Sequence, residues 1–420
     1  MKLFSSFFIA LRYLLGRAHE GGRYLRGAAG GIALSLVPII VTLIVADGMI
    51  RGIMDRYLEL GTGHLQVFNF QNRQNPEAAL PYIEGFPGIR GIWSERQGLG
   101  VLLGSAGTRG AAIRAIEPSF WEDEGALRFL VTLEGEGRLL GDRDVLLGSE
   151  LARSIGAQAG NTVHIMTISH SPLGHFIPRV TPFYVRGIVS SGYQELDAMW
   201  CVISLDAGLD ILPDLGAAHL ILKIDDPFGG SETMAHSLRG VLGTGFGVYS
   251  WRSLLRAQHS SFESTRQLLL FIMALIVLVA AVNVSSATSM LVIERQRDIA
   301  VLKTSGAKPS FTTSIFLMGA FLTGLTGSIF GIAAGLLVGV HVNGLIRFLE
   351  IVMSFFSGLF NAGPVTILDS SYYIDHIPII IDANMIIQIG FFTILASVVA
   401  SWIPAHRAGK LKPVDILRKY

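Results

Sequence analysis

The sequence predicts an α-helical membrane protein with four transmembrane helices and an α+β extracytoplasmic domain between the first and the second. Half of the 420 residues are hydrophobic and only 15% are charged, which is too little charge to cover a soluble protein of this length. A bilayer crossing takes about 20 residues. Four segments lack Asp, Glu, Lys and Arg over at least that length, namely 27–46, 267–293, 309–346 and 383–406.

The distribution of basic residues predicts which side of the membrane each connecting segment occupies. Lys and Arg dominate residues 1–26, 294–308 and 406–420, whereas residues 347–382 carry one Arg against four acidic residues. Short cytoplasmic loops are enriched in Lys and Arg. We therefore expect both termini in the cytoplasm and residues 51–265 on the opposite side of the membrane.

These assignments define the predicted domain organisation. The order is a cytoplasmic amphipathic segment at 1–26, transmembrane helix 1 at 27–50, the extracytoplasmic α+β domain at 51–265, transmembrane helix 2 at 266–293, a charged cytoplasmic helix at 294–310, transmembrane helix 3 at 311–342, an outer loop at 343–382, transmembrane helix 4 at 383–405 and a cytoplasmic tail at 406–420.

The α+β region is predicted from short apolar runs and their turn residues. The runs HLQVF, NTVHIMTI, PFYVRGIV, MWCVISL and HLILKI are typical of strands, whereas GSELARSIGA and GSETMAHSLRGVL are typical of helices. These elements fit either one compact domain or two subdomains.

Small and polar residues in the membrane segments predict contacts between helices. The third segment has a small residue at every fourth position, which makes a ridge for close helix packing. Its members are Gly319, Thr323, Gly327, Gly331, Gly335 and Gly339. In the second segment, Asn283 needs a polar partner within lipid. We predict that it forms a structural hydrogen bond to another helix and serves packing rather than transport.

Catalytic motifs are missing from the sequence. No G-x-x-x-x-G-K-[ST] motif occurs, so the chain is not expected to hydrolyse ATP by the phosphate-loop route. H-E-x-x-H and G-x-S-x-G are also missing. His170 and His175 form the one close histidine pair, and without acidic or Cys neighbours they are more typical of surface residues than of a metal site. We predict no enzyme, no catalytic residue and no metal site.

The stretch VIERQRDIAVLKTSGAKPS at 292–310 is a charged segment between two apolar ones. Gly306 is a candidate C-terminal cap for a helix there, with Pro309 just beyond it. The apolar residues of the stretch do not form a single stripe, which favours a helix between lipid headgroups and a protein surface. A solvated connector is the alternative.

The same stretch resembles the coupling helix of FtsX/MacB-type ABC permeases, whose pattern is E-(x)3-(D/E)-I-(A/G)-(I/V)-(L/M)-(K/R)-(x)2-G-A. The matching positions are Glu294, Asp298, Ile299, Ala300, Val301, Leu302, Lys303, Gly306 and Ala307. FIALRYLLGR, VLLGSELARSIGAQAGNTV and VVASWIPAHRAGKLKPVDILR are also similar to this superfamily, so the resemblance covers nearly the whole chain. It implies an ATPase-coupling surface formed by Glu294, Arg297, Asp298, Leu302, Lys303 and Gly306.

Within this superfamily, the chain is most similar to the lipoprotein-releasing (Lol-type) permease subunits. SPLGHFIPRVTPFYVRGIVSSGYQELD, SSYYIDHIPIII and AAVNVSS are similar to motifs of that subgroup. Two features depart from it. Asp47, Gly48 and Met49 stand where the subgroup usually has N-G-F, and residues 348–366 are longer and more apolar than expected.

The resemblance implies a transport subunit of the bacterial inner membrane, with a periplasmic domain between its first two spans. Two permease subunits, identical or sister chains, would pair with two ATPase subunits that bind ATP and Mg²⁺, and this chain would hold no cofactor. ATP-driven closure would push the coupling helices and squeeze a lipoprotein out of the outer leaflet towards a periplasmic chaperone. No nucleic acid is implied.

The resemblance also implies a chaperone-docking hairpin at 171–179, with Pro172, Gly174, Pro178 and Arg179 as its site residues. A plain hairpin without a partner is the alternative. Two other functions remain open. One is a MacB-like exporter of drugs, peptides or other lipids, and the other is a sensor that passes a signal to a cytoplasmic ATPase. The identity of the proteins that bind this chain would distinguish these functions.

Overall fold

The computed structural model describes residues 2–15, 22–139, 141–170, 176–212, 217–359 and 377–412. The α-helices within these ranges are α1 (Lys2–Leu15), α2 (Gly22–Arg56), α3 (Leu80–Ile83), α4 (Glu124–Phe129), α5 (Ser149–Ile155), α6 (Gln194–Asp197), α7 (Leu205–Ile211), α8 (Ser231–Leu242), α9 (Trp251–Leu254), α10 (Arg256–Glu294), α11 (Gln296–Thr304), α12 (Pro309–Val340), α13 (Val342–Leu359), α14 (Ala383–Ala400) and α15 (Trp402–Lys410).

The strands all lie between α2 and α9. They are β1 (Leu65–Asn69), β2 (Ile89–Leu103), β3 (Thr108–Ile116), β4 (Val131–Gly135), β5 (Asp144–Gly148), β6 (Thr162–His170), β7 (Phe176–Ser190), β8 (Trp200–Ser204), β9 (Ala217–Ile224) and β10 (Phe246–Ser250). The chain divides into a helical unit (Met1–Gly48, Phe262–Val365 and Ile377–Tyr420) and a second unit, here called the sheet domain, which contains Met49–Ser261.

Four helical stretches in the described part of the chain are long and apolar enough to cross a membrane. They are Arg23–Thr62, Arg256–Glu294, Pro309–Val340 and Ala383–Lys410. In each, helical geometry lets the backbone satisfy its own hydrogen bonds, which is a requirement for crossing lipid, and the apolar side chains suit the hydrocarbon.

The segment after α12 differs from the sequence expectation of a loop at 343–382. Residues 342–359 form helix α13, which carries exposed Phe348, Ile351 and Phe355. A run of aliphatic and aromatic residues without Pro sustains a helix here. Asn343 pairs with the backbone of Ile377 through two hydrogen bonds of 3.0 and 3.1 Å, which fixes the start of α13 to the chain before α14.

The sheet domain is built on a mixed sheet whose pairing closes into a ring. Strands β2, β3, β8, β5, β7 and β6 pair in that order, and β6 returns to the last residues of β2. The β3–β8 and β5–β7 pairs are parallel and the others in the ring are antiparallel. The first half of β2 pairs with β9, which continues the sheet through β1 to β10.

Two hydrophobic cores lie on this single sheet. The sequence left open one compact domain or two subdomains, and the structure combines one continuous sheet with two cores. The ring contributes alternate residues to the first core, where they meet α5 and α7; examples are Ile113, Val145 and Phe183. The second core joins β1, β9 and β10 to α3 and α8. All five predicted strands and both predicted helices of this region are present, because their apolar periodicity is local.

Candidate functional site

The charged stretch after the second long helix forms a separate short helix. Helix α10 ends at Glu294, and Arg295 leaves helical geometry with φ −95° and ψ 19°. Helix α11 then runs for nine residues, and the Arg295 guanidinium pairs with Asp298 across 3.1 Å at its first turn. The two helices are therefore joined by a single residue with non-helical geometry.

A Schellman motif ends α11. Gly306 has φ +93°, a backbone conformation that favours glycine. The Gly306 N–H donates to the Lys303 carbonyl and the Ala307 N–H donates to the Leu302 carbonyl, each at 3.0 Å. The predicted C-terminal cap at Gly306 is therefore confirmed.

Helix α11 has one buried face and one exposed face. Ile299 is buried in a core shared with α1, α2, α10, α12 and α15, whose other members are Ala10, Leu25, Leu291, Val292, Phe316, Leu322, Ala405 and Ala408. The adjacent Ala300 is also fully buried. On its other face, Arg297 is exposed and Val301 is 55% exposed, and Glu294 at the end of α10 is exposed as well. A solvated connector would not bury a residue in a core shared with five other helices, so this geometry does not fit the solvated-connector alternative.

Lys303 ties α11 to the C-terminal helix. Its Nζ donates to the backbone carbonyls of Gly409 at 2.5 Å and Leu411 at 2.6 Å, at the end of α15. A cation is stabilised there because the last carbonyls of a helix carry partial negative charge. A groove of about 760 Å³ lies beside this contact, between the start of α12 and α15, and Trp402 and His406 line it.

The structure divides the six predicted coupling residues into two groups. Glu294, Arg297 and Gly306 are exposed and available to a partner, whereas Asp298, Leu302 and Lys303 are partly buried. Lys303 donates its hydrogen bonds at the end of α15 of the same chain, so its contacts in this structure are within the chain. Sequence reasoning missed Val301 as an exposed apolar residue of the same surface; its position one turn after Arg297 was the available signal.

The glycine ridge of α12 packs against α2 in regular register. A methyl group at Gly327 would lie 2.8 Å from the Ile32 Cβ, and one at Gly331 would lie 2.8 Å from the Leu36 Cβ. The pattern continues four residues further on at each step, with Gly335 against Ile40 and Gly339 against Ile44. The predicted helix-packing role of these four glycines has a defined partner, the first long helix.

The predicted packing role of Asn283 is not met within this chain. Asn283 lies on the exposed face of α10, next to the buried Val284. Thr288 instead makes the polar contact between helices, with its Oγ1 3.2 Å from the Ser401 Oγ and 2.8 Å from the Val284 carbonyl. The correction follows from helix geometry, because adjacent residues differ by about 100° around the axis and the sequence does not fix which face turns inward.

The predicted docking hairpin is described only in part. Pro172 and Gly174 lie outside the described residues, while Pro178 and Arg179 lie on β7. The Arg179 guanidinium binds Asp210 through the aspartate carbonyl at 2.7 Å and carboxylate at 2.8 Å. Hydrogen bonds from Arg179 lower the pKa of Asp210. Beside Pro178, an apolar groove of about 400 Å³ is lined by residues of β2 and β6.

Metal-binding clusters of three or more His, Cys, Asp or Glu side chains do not occur among the described residues. The His170 side chain and His175 lie outside the described part of the structure. The features with a defined geometry are therefore the exposed face of α11, its link to α15 and the packing of α12 on α2.

Comparison with known proteins finds a family match for part of the helical unit. Residues 270–413, which contain α11, α12, α14 and α15, match the family described as FtsX-like permease C-terminal. The lipoprotein-releasing system transmembrane protein LolC of Neisseria meningitidis serogroup B is 28% identical over 98% of both chains. The corresponding protein LolE of Haemophilus influenzae is 23% identical over 99% of both chains.

Two solved structures are similar to part of this chain. The periplasmic region of MacB from Actinobacillus actinomycetemcomitans has 14% identity and a TM-score of 0.31, covering 48% of this chain and 95% of that one. The extracellular domain of the ABC-type transporter YknZ from Gram-positive bacteria has 9% identity and a TM-score of 0.29, covering 45% and 100%.

The full-length matches and the FtsX-like helical unit define a membrane permease subunit rather than an ATPase. Both relatives align across the whole length, sheet domain included. The chain is a Lol-type ABC permease subunit.

Proposed function

We propose that this chain is the permease subunit of an ABC transporter that extracts lipoproteins from the outer leaflet of the bacterial inner membrane and hands them to a periplasmic chaperone. A separate ATPase drives extraction by pushing on α11. The observation that carries this proposal is that α11 exposes Arg297 and Val301, while Ile299 on its other face is buried in a core with five other helices and Ala300 is fully buried. The names of the LolC and LolE relatives supply the lipoprotein cargo.

The proposed complex contains two ATPase subunits and a second permease subunit, either a copy of this chain or a sister chain. ATP and Mg²⁺ bind to the ATPases, and this chain contributes no cofactor. Both termini and α11 face the cytoplasm, and the sheet domain faces the periplasm. The concentration of Lys and Arg in 294–308 and 406–420 supports this orientation.

The energy needed for extraction supports an external source of work. Withdrawing an acyl chain from a bilayer costs roughly 0.8 kcal/mol per methylene group, so a triacylated anchor costs on the order of tens of kcal/mol. This exceeds what a binding site in this chain supplies. A helix packed against five others moves them together, because well-packed side chains transmit displacement with little compression.

The hairpin at 171–179 is proposed as the chaperone-docking element. Arg179 and its partner Asp210 hold the β7 side of the hairpin through exposed ion pairs. Exposed Ile168 and Ile177 lie on the two paired strands. These apolar positions at the base of a hairpin support a protein contact there, since solvent alone does not favour them.

The proposed function is tested by lipoprotein release from proteoliposomes that contain the complex with its cognate ATPase. Arg297→Glu reverses an exposed charge on α11, and Arg407→Glu makes the same change on exposed α15 as the matched control. We expect Arg297→Glu to reduce ATP-dependent release at least tenfold, and Arg407→Glu to retain it. Asp298→Lys and Gly306→Trp should abolish release while leaving membrane insertion intact.

Two results would overturn the proposal. One is normal release by Arg297→Glu, Asp298→Lys and Gly306→Trp together. The other is a wild-type complex that hydrolyses ATP without releasing lipoprotein but exports a drug or peptide, which would support a MacB-like exporter. ATP hydrolysis stimulated by lipoprotein without any transfer would support a sensor.

A further inference from the structure

The first long helix ends inside the sheet domain in a π-helical turn. Helix α2 stops at Arg56, and residues Tyr57–Thr62 continue as a π-helix before Gly63, which has φ +68°. The last carbonyls of a helix lack partners within the helix. Here side chains from distant strands reach the turn, so its end is held by the sheet domain.

Arg114 of β3 binds the end of this turn directly. Its guanidinium donates to the carbonyl of Leu60 and, at 2.8 Å, to the carbonyl of Gly61. Its Nε donates to the Glu95 carboxylate at 2.5 Å, and His219 lies 3.4 Å from the other Glu95 oxygen. The Arg114 and Glu95 side chains are 4% and 0% exposed. A buried ion pair is costly, and this one places a forked donor on two carbonyls of the turn.

A second set of charges holds Glu59, which is part of the turn. Lys223 lies 2.9 Å from the Glu59 carboxylate and 2.6 Å from Asp123, whose own carboxylate caps α4. The backbone N–H of Ile224 donates to the Nδ1 of His64 at 2.8 Å, which leaves the Nε2 of His64 to donate to Glu59 at 3.2 Å.

A third contact holds the last turn of α2 through the SSGYQELD motif. The Nε of Arg56 donates to the Ser191 carbonyl at 2.8 Å. The loop is fixed in turn by the buried Asp197, which accepts hydrogen bonds from the Ser191 N–H and from the hydroxyls of Ser149, Ser190 and Ser191. The Tyr193 ring meets the Tyr57 ring edge-on at 5.9 Å between centroids.

We propose that Arg114 and Arg56 are positioning residues that clamp the end of the first long helix to the sheet domain, so that a displacement of this helix moves the domain as one body. Three independent contacts converge on residues 56–61, and two of them bury charge. Such contacts resist a pull along the helix better than apolar packing does, because their hydrogen bonds are directional. The inference rests on the proposed function, in which helix movement drives release.

The test compares the number of lipoproteins released per ATP hydrolysed in the full reconstituted complex. Arg56→Gln removes the donor to Ser191, and Arg56→Lys retains one donor at the same place. Arg114→Lys keeps the charge opposite Glu95 but removes the fork that reaches two carbonyls. Arg90→Gln is the matched control, since Arg90 pairs with Asp225 on the exposed surface of the same domain.

We expect Arg56→Gln and Arg114→Lys to hydrolyse ATP at the wild-type rate while release per ATP falls about fivefold, the factor that one lost hydrogen bond corresponds to. Arg56→Lys should recover part of the loss, and Arg90→Gln should match wild type. A purely structural role would lower both activities in proportion to folded protein.

Unchanged release per ATP in Arg56→Gln would overturn the clamp, and it decides the matter even if Arg114→Lys fails to fold. A wild-type complex that releases no lipoprotein would contradict the proposed function instead. The wild-type measurement therefore separates the two failures.

Discussion

The ammonium group of Lys303 lies 2.5 Å from the Gly409 carbonyl oxygen, which joins α11 to the end of α15. Lys303→Met keeps much of the side-chain volume and removes both donors. We expect it to lower the free energy of unfolding of the helical unit by about 2 kcal/mol, because charged hydrogen bonds to helix-end carbonyls are lost. Thermal unfolding of the detergent-solubilised chain measures this. Lys308→Met, at an exposed position, is the control, and equal unfolding temperatures for the two variants would contradict the role of Lys303.

The contact between Gly331 and Leu36 predicts a steric effect at the glycine ridge. Gly331→Leu places a branched side chain where a single methyl group already lies 2.8 Å from the Leu36 Cβ. We expect α2 and α12 to separate, with a loss of about 1–3 kcal/mol in stability. Gly344→Leu is the control, because no atom lies within 4 Å of a methyl group added there. A Gly331→Leu chain as heat-resistant as Gly344→Leu would show that the ridge does not set the packing.

The buried Glu95 predicts a pH dependence of the sheet domain. Burial by itself raises the pKa of Glu95, but Arg114 and His219 outweigh this and lower the pKa to about 2 from an ordinary value of 4.5. Since the folded pKa is depressed, the stabilisation is complete above about pH 4.5 and is lost as the pH falls towards 2. We expect about 3 kcal/mol to be lost across this window.

Unfolding of the full-length chain, followed by tryptophan fluorescence between about pH 5 and about pH 2, measures this loss. Glu95→Gln removes the titrating group and should show a shallower decline over the same range. Parallel declines in the two proteins would assign the acid sensitivity to other carboxylates.

Cys201 predicts that the native chain does not react with thiol reagents. Its side chain is buried in the ring core, and burial raises the pKa of its thiol. Because Cys201 is the one cysteine in the sequence and is buried, any maleimide labelling of a variant with an added cysteine reports where the added residue lies. We expect Ser305→Cys, at the exposed end of α11, to react with a membrane-impermeant maleimide from the cytoplasmic side alone. Labelling of Ser305→Cys in intact cells from the periplasm would reverse the proposed orientation.

Features encoded by local spacing were predictable from the sequence. The αL cap at Gly306 needs one glycine at the end of a helix, and the ridge through Gly331 and Gly335 needs a four-residue repeat. Both patterns stand in a single element, so no tertiary information is required to read them. Five strands of the sheet domain, β1, β6, β7, β8 and β9, were predictable for the same reason.

Features that depend on distant pairing were not predictable. Lys303 and Gly409 are 106 residues apart, and no local pattern indicates their contact. Asn283 was predicted to bond to another helix but is exposed in this chain, because a strongly apolar helix does not indicate which of its faces turns inward. The cluster around Arg114 was missed, although charged residues inside strand-like runs, such as Glu95 and Lys223, were an available signal of buried ion pairs.

The central claim is that an ATPase delivers work to this chain through α11, and a photo-crosslinking residue at Val301 tests it most directly. Val301 is exposed on α11, whereas the adjacent Ala300 is fully buried and serves as the control position. In the purified, release-competent complex we predict that position 301 crosslinks to the ATP-hydrolysing subunit and that position 300 does not. An absence of ATPase adducts at position 301, in a complex that still releases lipoprotein on ATP addition, would contradict the account.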